Sequence, residues 1–389
     1  MFGKLQTIEK STRYDRSKLW DIHREYFLSS GISIWKRGEI PYSGVSNYNE
    51  AYKKAQFFVA NLLNFPASSE PIRVLEVGSG YGEFACNFLR ALRDICEAGE
   101  YDFFERLEFY LSDYSDSILA ELQDSGRLDE FSDKITFVKY DAWISSFSPD
   151  EAIFEFELVL ANYLLDQFPA RIFACKQGQY YEQYLSLSAK ESEIQKYQEG
   201  KPSRKWIKKI KKDFEFREFD LLAANDIAED ELDTLRGCFR HLKDSTVTYS
   251  YGSLKVLKNF LSLLSTNGII ICSDFNASSR GGLSPYEACY YGNSLAQGVN
   301  FEFLNRYFVA SKPVILYEDP IRPLHTLILT REDFEYEIEL GEVYKTVYKG
   351  NWFLRVFYRY MLEMQVALWI FVVIFVSAAF WFLIIQTSK

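Results

Sequence analysis

Only three histidines, His23, His241 and His325, occur in 389 residues, too few for a histidine-built metal centre. The six cysteines, Cys86, Cys96, Cys175, Cys238, Cys272 and Cys289, are scattered and form no CxxC pair. Several sit inside apolar patterns, which favours buried free thiols in a reducing compartment over a disulfide framework or a zinc site. No GK[ST] sequence exists, so a P-loop is excluded. The first twenty residues lack an apolar core and are not a signal peptide. Positive charge is in deficit, with a net charge of −10, so general nucleic-acid affinity is not expected. Hydrophobic residues at 48% and charged residues at 25% are ordinary for a chain that buries a core. Aromatic residues at 17% read as bulky core filling.

Uncharged apolar runs long enough to cross a bilayer are also missing, except at the end of the chain. Residues 366–385 carry no charge, and Ser377 is the one polar side chain among them. As a helix rising ~1.5 Å per residue, this run spans ~30 Å, the thickness of a hydrocarbon core. Trp369 and Trp381 lie towards its ends, where indoles prefer the interface. The segment reads as a single-pass C-terminal transmembrane helix whose partner is membrane lipid. Lys349, Arg355 and Arg359 precede it and Lys389 follows, which keeps the large domain on the cytoplasmic side.

What is present ahead of that run is an alternation of elements. Residues 1–70 read as a helical, loop-rich N-terminal lid segment punctuated by Pro41, Gly44 and Asn47. Short apolar runs at 73–77, 107–111, 135–140, 158–161 and 269–272 read as buried strands. Phe84, Ala85, Phe88, Leu89 and Leu92 mark one face of a helix after the first strand. Helical stretches at 117–122 and 254–264 follow later strands, and alternation of this kind implies parallel strands joined by right-handed crossovers. Runs at 313–317 and 326–330 read as a closing antiparallel hairpin. The expected fold is therefore α/β, a doubly wound and mostly parallel sheet over 71–330. It carries a long insertion at about 185–245, then a bridge over 331–365 and the span.

In such a sheet, ligands sit beyond the carboxyl ends of the strands. The first strand ends in Glu76-Val-Gly78-Ser79-Gly80-Tyr81-Gly82, where glycine lets the backbone come close to a ligand. A dinucleotide fingerprint would need glycine at Glu83, and an acid there opposes a pyrophosphate at the helix N-terminus. A cofactor without phosphates but with cationic groups suits this acidic loop better. The Glu-x-Gly-x-Gly-x-Gly pattern resembles motif I of class I S-adenosylmethionine-dependent methyltransferases. That resemblance implies a Rossmann-like fold with S-adenosyl-L-methionine as cofactor. It implies that Asp113, with Tyr114 beside it, meets the ribose, and that Asp141, with Ala142, lies near the adenine amino group. Three strands in succession thus end in an acid: Glu76, Asp113 and Asp141.

The fourth strand ends in Asn162-Tyr163-Leu-Leu-Asp166-Gln-Phe-Pro169, which resembles a segment of the MidA family. That family's mitochondrial member is a protein arginine methyltransferase serving complex I assembly. Asp113-Tyr-Ser115, Gly178-Gln-Tyr-Tyr-Glu182, residues 268–275, Gly282-Leu283 and Gly298-Val-Asn300-Phe301 match other family segments in order. The chain departs at Tyr163, Asn276 and Asn300, where the family carries Glu, Gly and an acid. The resemblance implies a protein methyl acceptor such as arginine. It puts Asn162, Tyr163 and Asp166 nearest the acceptor, with Asn162 also touching the cofactor. If Asp166 deprotonates or orients a guanidinium, Asp166→Asn would cut turnover and spare cofactor affinity. A catalytically weak scaffold or assembly factor at a membrane is the other reading, motivated by the three departures. An aminopropyltransferase ranks last, because Asn162-Tyr163 offers no paired acids. Lys201, Arg204, Lys205, Lys208, Lys209, Lys211 and Lys212, with Trp206 and Ile207 among them, are read as a face for lipid headgroups or an acidic partner.

Overall fold

The computed structural model describes residues 4–40, 42–65, 69–147, 155–200, 205–221, 223–239, 245–277, 287–309, 314–318 and 324–330. All lie in the first of the chain's two units, Met1–Glu335. The expected bridge and transmembrane helix, 331–385, lie outside the described residues. Among the described residues, no helix is long and apolar enough to cross a membrane.

The strands are β1 (Leu5–Arg13), β2 (Ile72–Val77), β3 (Leu107–Asp113), β4 (Ile135–Asp141), β5 (Ser146–Phe147), β6 (Phe156–Asn162), β7 (Arg171–Lys176) and β8 (Gln179–Lys190). They continue as β9 (Lys211–Glu218), β10 (Ser245–Tyr249), β11 (Leu264–Phe275), β12 (Cys289–Tyr291), β13 (Ser294–Ala296), β14 (Val314–Glu318) and β15 (Leu324–Thr330). The main sheet runs β14-β15-β11-β6-β2-β3-β4-β5. Its five central members, β11, β6, β2, β3 and β4, are parallel, and β15, β14 and β5 are antiparallel. β2, β6 and the second half of β11 are buried almost throughout and read as continuous apolar runs, whereas β4, nearer the sheet's edge, buries only Val138 and Tyr140. The chain leaves β2 towards β3 and β4, then returns to the other side of β2 as β6. Strand order therefore reverses between β2 and β6, where a crevice opens beyond their tips.

Helix α4 of the sheet's first crossover, here named in its chain order after α1 (Lys18–Ser30), α2 (Ser33–Lys36) and α3 (Tyr48–Leu63), spans Glu83–Gly99. It buries Phe84, Ala85, Phe88, Leu89 and Leu92, the apolar face seen in the sequence. Each large side chain of that face contributes about 1.5–3 kcal/mol by leaving water.

Two readings need correction. The N-terminal segment is not purely helical: it opens with β1, which pairs antiparallel with β8. Its half-exposed edge pattern has no apolar periodicity of its own, so only the distant partner reveals it. The insertion is also wider than expected, because β7, β8, β9 and β10 build a second sheet with β1 from 171 to 249. Within it Trp206 and Ile207 are buried in a core with Leu185 and Leu187 and are not offered to lipid. Lys209 pairs with Glu193 and Lys211 with Asp213, while the Lys212 ammonium donates to the carbonyls of Ile207 and Ile210. Lys201 and Arg204 lie outside the described residues. Among the described cysteines, Cys86, Cys96, Cys238 and Cys272 are buried free thiols, and Cys175 and Cys289 are half-buried.

Candidate active site

A cavity of about 450 Å³ opens at the strand-order reversal. That volume lies in the range of small-molecule sites. Its floor is the loop after β2. Gly78, Gly80 and Gly82 all take positive φ, at 80°, 49° and 71°. A Cβ at Gly78 would stand 3.0 Å from Leu164, and one at Gly80 would stand 3.0 Å from the Trp35 ring. The loop is therefore strained for any other residue and pressed by side chains on two sides. The N–H groups of Gly78 and Ser79 both donate to the Ser112 carbonyl at 2.9 Å, which ties the loop to β3.

The strand tips supply the charge. Glu76 is buried, and its Oε2 has no hydrogen-bond partner. Burial pushes its carboxyl up to about 8. A carboxyl so placed is costly unless a cation or a donor meets it. Asp113 accepts from the Ser115 N–H at 3.0 Å and the Gly80 N–H at 3.4 Å. Burial raises it to about 6, and those backbone donors oppose the rise. Asp141 accepts from the Trp143 N–H at 2.9 Å and forms an ion pair with Arg24 of α1. The Arg24 guanidinium also lies 4.8 Å from the centre of the Tyr114 ring.

The acceptor side follows β6. The Asn162 side-chain N–H₂ donates to the Val45 carbonyl at 3.0 Å and the Ser46 hydroxyl at 3.4 Å, leaving its buried Oδ1 without a partner. Tyr163 has a φ of 61° and meets Phe275 edge-on at 5.3 Å. Burial, followed by nearby Asp166, raises its phenol well above the ordinary range.

Of the residues named from the sequence, Glu76, Gly78, Ser79, Gly80, Tyr81, Asp113, Tyr114, Asp141, Ala142, Asn162 and Tyr163 line the cavity. Gly82 does not: it sits at the N-cap of α4. Asp166 is also absent from the wall and is fully buried. It lies in the 3₁₀ turn Leu165–Gln167, whose rotation sends it inward to Asp274 and leaves Gln167 on the wall. Part of the enclosure comes from residues that the sequence did not single out. Trp20, Arg24, Phe27, Trp35 and Tyr42 of the N-terminal segment line the cavity, as do Gln167 and Phe168. The reading of residues 1–70 as a lid segment was the one trace of that wall.

His23 also lines the cavity. Its Nδ1 accepts from the Leu295 N–H at 3.1 Å, and burial, with Arg24 nearby, lowers its pKa to about 3. It stays neutral and serves to hold α1 against β13.

These features fit a sulfonium cofactor carrying an ammonium. Buried oxygens on Glu76 and Ser79 lack partners, and the loop leaves no room for side chains at its glycines. A family described as "Putative S-adenosyl-L-methionine-dependent methyltransferase" matches residues 55–300. A superfamily member from Burkholderia thailandensis, solved with S-adenosyl-homocysteine bound, superposes with a TM-score of 0.53 at 12% identity. The match covers 83% of this chain and 88% of that one, and it shows the shared fold. A native structure from the same organism gives 0.49 at 14% identity, covering 83% and 88%. Magnesium protoporphyrin IX methyltransferase from Synechocystis, with bound S-adenosyl-homocysteine, gives 0.37 at 11%, covering 80% and 99%. No curated protein matches the chain.

Proposed function

The chain belongs to the S-adenosyl-L-methionine-dependent methyltransferase family matched over residues 55–300, and on that premise we propose that it methylates a protein side chain such as arginine at a membrane surface. S-adenosyl-L-methionine is its cofactor. When bound, the cofactor would supply an electrophilic methyl carbon for the acceptor's lone pair, with S-adenosylhomocysteine as the leaving group.

The protein's own part is to hold and enclose. Asp113 offers a fixed carboxylate at the β3 tip, and the β2 loop offers backbone groups at close range. Positioning of this kind can supply ~7–11 kcal/mol of barrier reduction, so no catalytic triad is needed. The observation that carries the acceptor reading is the charge of the wall. Asp15, Asp21, Glu76, Glu83, Asp113 and Asp141 line it against two arginines, Arg16 and Arg24. Arg13, Arg127 and Arg24 already pair with Asp15, Glu83 and Asp141, so the wall's surplus acids are Asp21, Glu76 and Asp113, and these favour a cationic acceptor over an anionic one. The ordered matches to the MidA family support a guanidinium, and the apolar run 366–385 supports action beside a bilayer with the domain facing the cytoplasm.

The test incubates the full chain with tritiated S-adenosylmethionine and a membrane fraction, then hydrolyses the labelled protein to amino acids. Label in methylated arginine supports the proposal. Label confined to other residues or to lipid sinks the arginine reading. Full release of the chain from membranes by alkaline carbonate sinks the anchor.

A further inference from the structure

Four residues of the cavity wall carry a buried side-chain oxygen without a hydrogen-bond partner: Glu76, Ser79, Asn162 and Gln167. Glu76 and Ser79 belong to the β2 loop and Asn162 to the β6 tip. Gln167 stands apart from the glycine loop and the strand-tip acids. It shares its part of the chain with Phe168, whose ring stacks on Trp143 at 6.0 Å and 13°.

The Gln167 N–H₂ donates to Asp166 Oδ1, and the carbonyl Oε1 is the end left without a partner. Asp166 is itself held on three sides of the turn. Its N–H donates to Asp274 Oδ2 at 3.1 Å, and its carbonyl accepts from the Gln297 N–H at 2.8 Å. The Ser253 hydroxyl donates to the preceding Leu165 carbonyl at 2.9 Å. Asp166 does not line the cavity and stands behind Gln167, which does, so the aspartate expected to touch the acceptor is not the one on the wall.

We propose that Gln167 orients and selects the methyl acceptor by taking a hydrogen bond from it on Oε1, and that Asp166 is a positioning residue that fixes the Gln167 amide. The acceptor so chosen carries an N–H or O–H beside its nucleophilic atom. A deprotonated carboxylate, which has none, would leave Oε1 unpaired and face it with like charge. This inference rests on the methyltransferase reading above.

Three variants test it: Gln167→Met, Asp166→Asn and Asp166→Leu. Each is melted, titrated with S-adenosylhomocysteine, and assayed for transfer of tritium from labelled S-adenosylmethionine to cell extract. Gln167→Met matches the length of the side chain and removes the carbonyl. It should keep S-adenosylhomocysteine affinity within about threefold and lose at least about tenfold in transfer rate. Asp166→Asn keeps an oxygen for the Gln167 amide and should transfer at close to the wild-type rate. Asp166→Leu should fall with Gln167→Met. Wild-type transfer by Gln167→Met overturns the proposal. So does a loss of S-adenosylhomocysteine affinity equal to the loss of rate, which would make Gln167 part of the cofactor wall. A rate for Asp166→Asn as low as that of Asp166→Leu removes the positioning role. Binding of S-adenosylhomocysteine without any transfer by the wild type overturns the methyltransferase reading and this proposal with it.

Discussion

Cofactor affinity should rise steeply between pH 6 and pH 8, and Glu76 is the reason. Its carboxyl, raised to about 8 by burial, is mostly protonated at pH 7 in the ligand-free protein. If only the ionised form pairs with a cationic cofactor, the apparent Kd is multiplied by one plus ten to the power of (8 − pH). That factor is about 100 at pH 6, about 11 at pH 7 and about 2 at pH 8. Affinity therefore gains roughly fifty-fold over two pH units, about 2.3 kcal/mol. Asp113, raised to about 6, adds about a further twofold near pH 6. The assay is calorimetric titration of residues 1–360 with S-adenosylmethionine at half-unit pH steps, for the wild type and Glu76→Gln. The cofactor's own amino group titrates equally against both, so the ratio of the two curves isolates Glu76. At pH 7 the wild type should also release about 0.9 proton per cofactor bound, read from buffers of different ionisation enthalpy. A wild-type Kd flat from pH 6 to 8, or an equal slope in Glu76→Gln, would refute the reasoning.

Without ligand, the same residue makes stability pH-dependent. A carboxyl whose folded pKa is raised contributes stability that is fully present below about 4.5 and lost as pH rises through about 8. The stability of the apo protein should fall across that window, at up to about 1.4 kcal/mol per pH unit, lowering the melting temperature, and Glu76→Gln should flatten the fall. Gly80→Ala places a Cβ against Trp35 at a φ of 49°, and should lower stability by about 1–3 kcal/mol while weakening S-adenosylhomocysteine binding. A melting curve and Kd unchanged from wild type would show the loop to be looser than described. Arg24→Ala breaks the partly exposed pair with Asp141, so thermal stability should change by less than about 1 kcal/mol. Dissociation of S-adenosylhomocysteine, followed by the fluorescence of Trp20 and Trp35, should quicken; an unchanged rate would show that α1 does not hold the bound cofactor in place.

The half of the site made by the main sheet was legible because its signals are local. Glu76, the glycines, Asp113, Asp141 and Asn162 each close a strand, and a strand tip is visible in a short apolar run. The N-terminal wall was legible only as a lid segment and not residue by residue, since Trp20, Arg24 and Trp35 reach the cavity only through contacts with residues far along the chain. Asp166 and Gln167 show how fine the limit is. Neighbours in a 3₁₀ turn diverge by about 120°, so a correct segment still put the wrong member of the pair on the wall. The edge strand β1 failed for a related reason: its exposed, mixed composition becomes a strand only when β8 supplies the ladder.

That pairing has a consequence for synthesis. Leu5–Arg13 must wait for Gln179–Lys190, and the Tyr14 hydroxyl must wait for Gln297, to which it donates at 2.9 Å. Translation at ~5–20 residues per second leaves the first residues without their partner strand for roughly 10–35 s. Through that interval the loop after β2 and the tip of β3 are already made, yet the wall that will shut them from water has nothing to dock on. The newborn chain therefore passes through a stage in which the acid at the tip of β2 still stands in solvent, and the enclosure is completed last by the part of the chain made first.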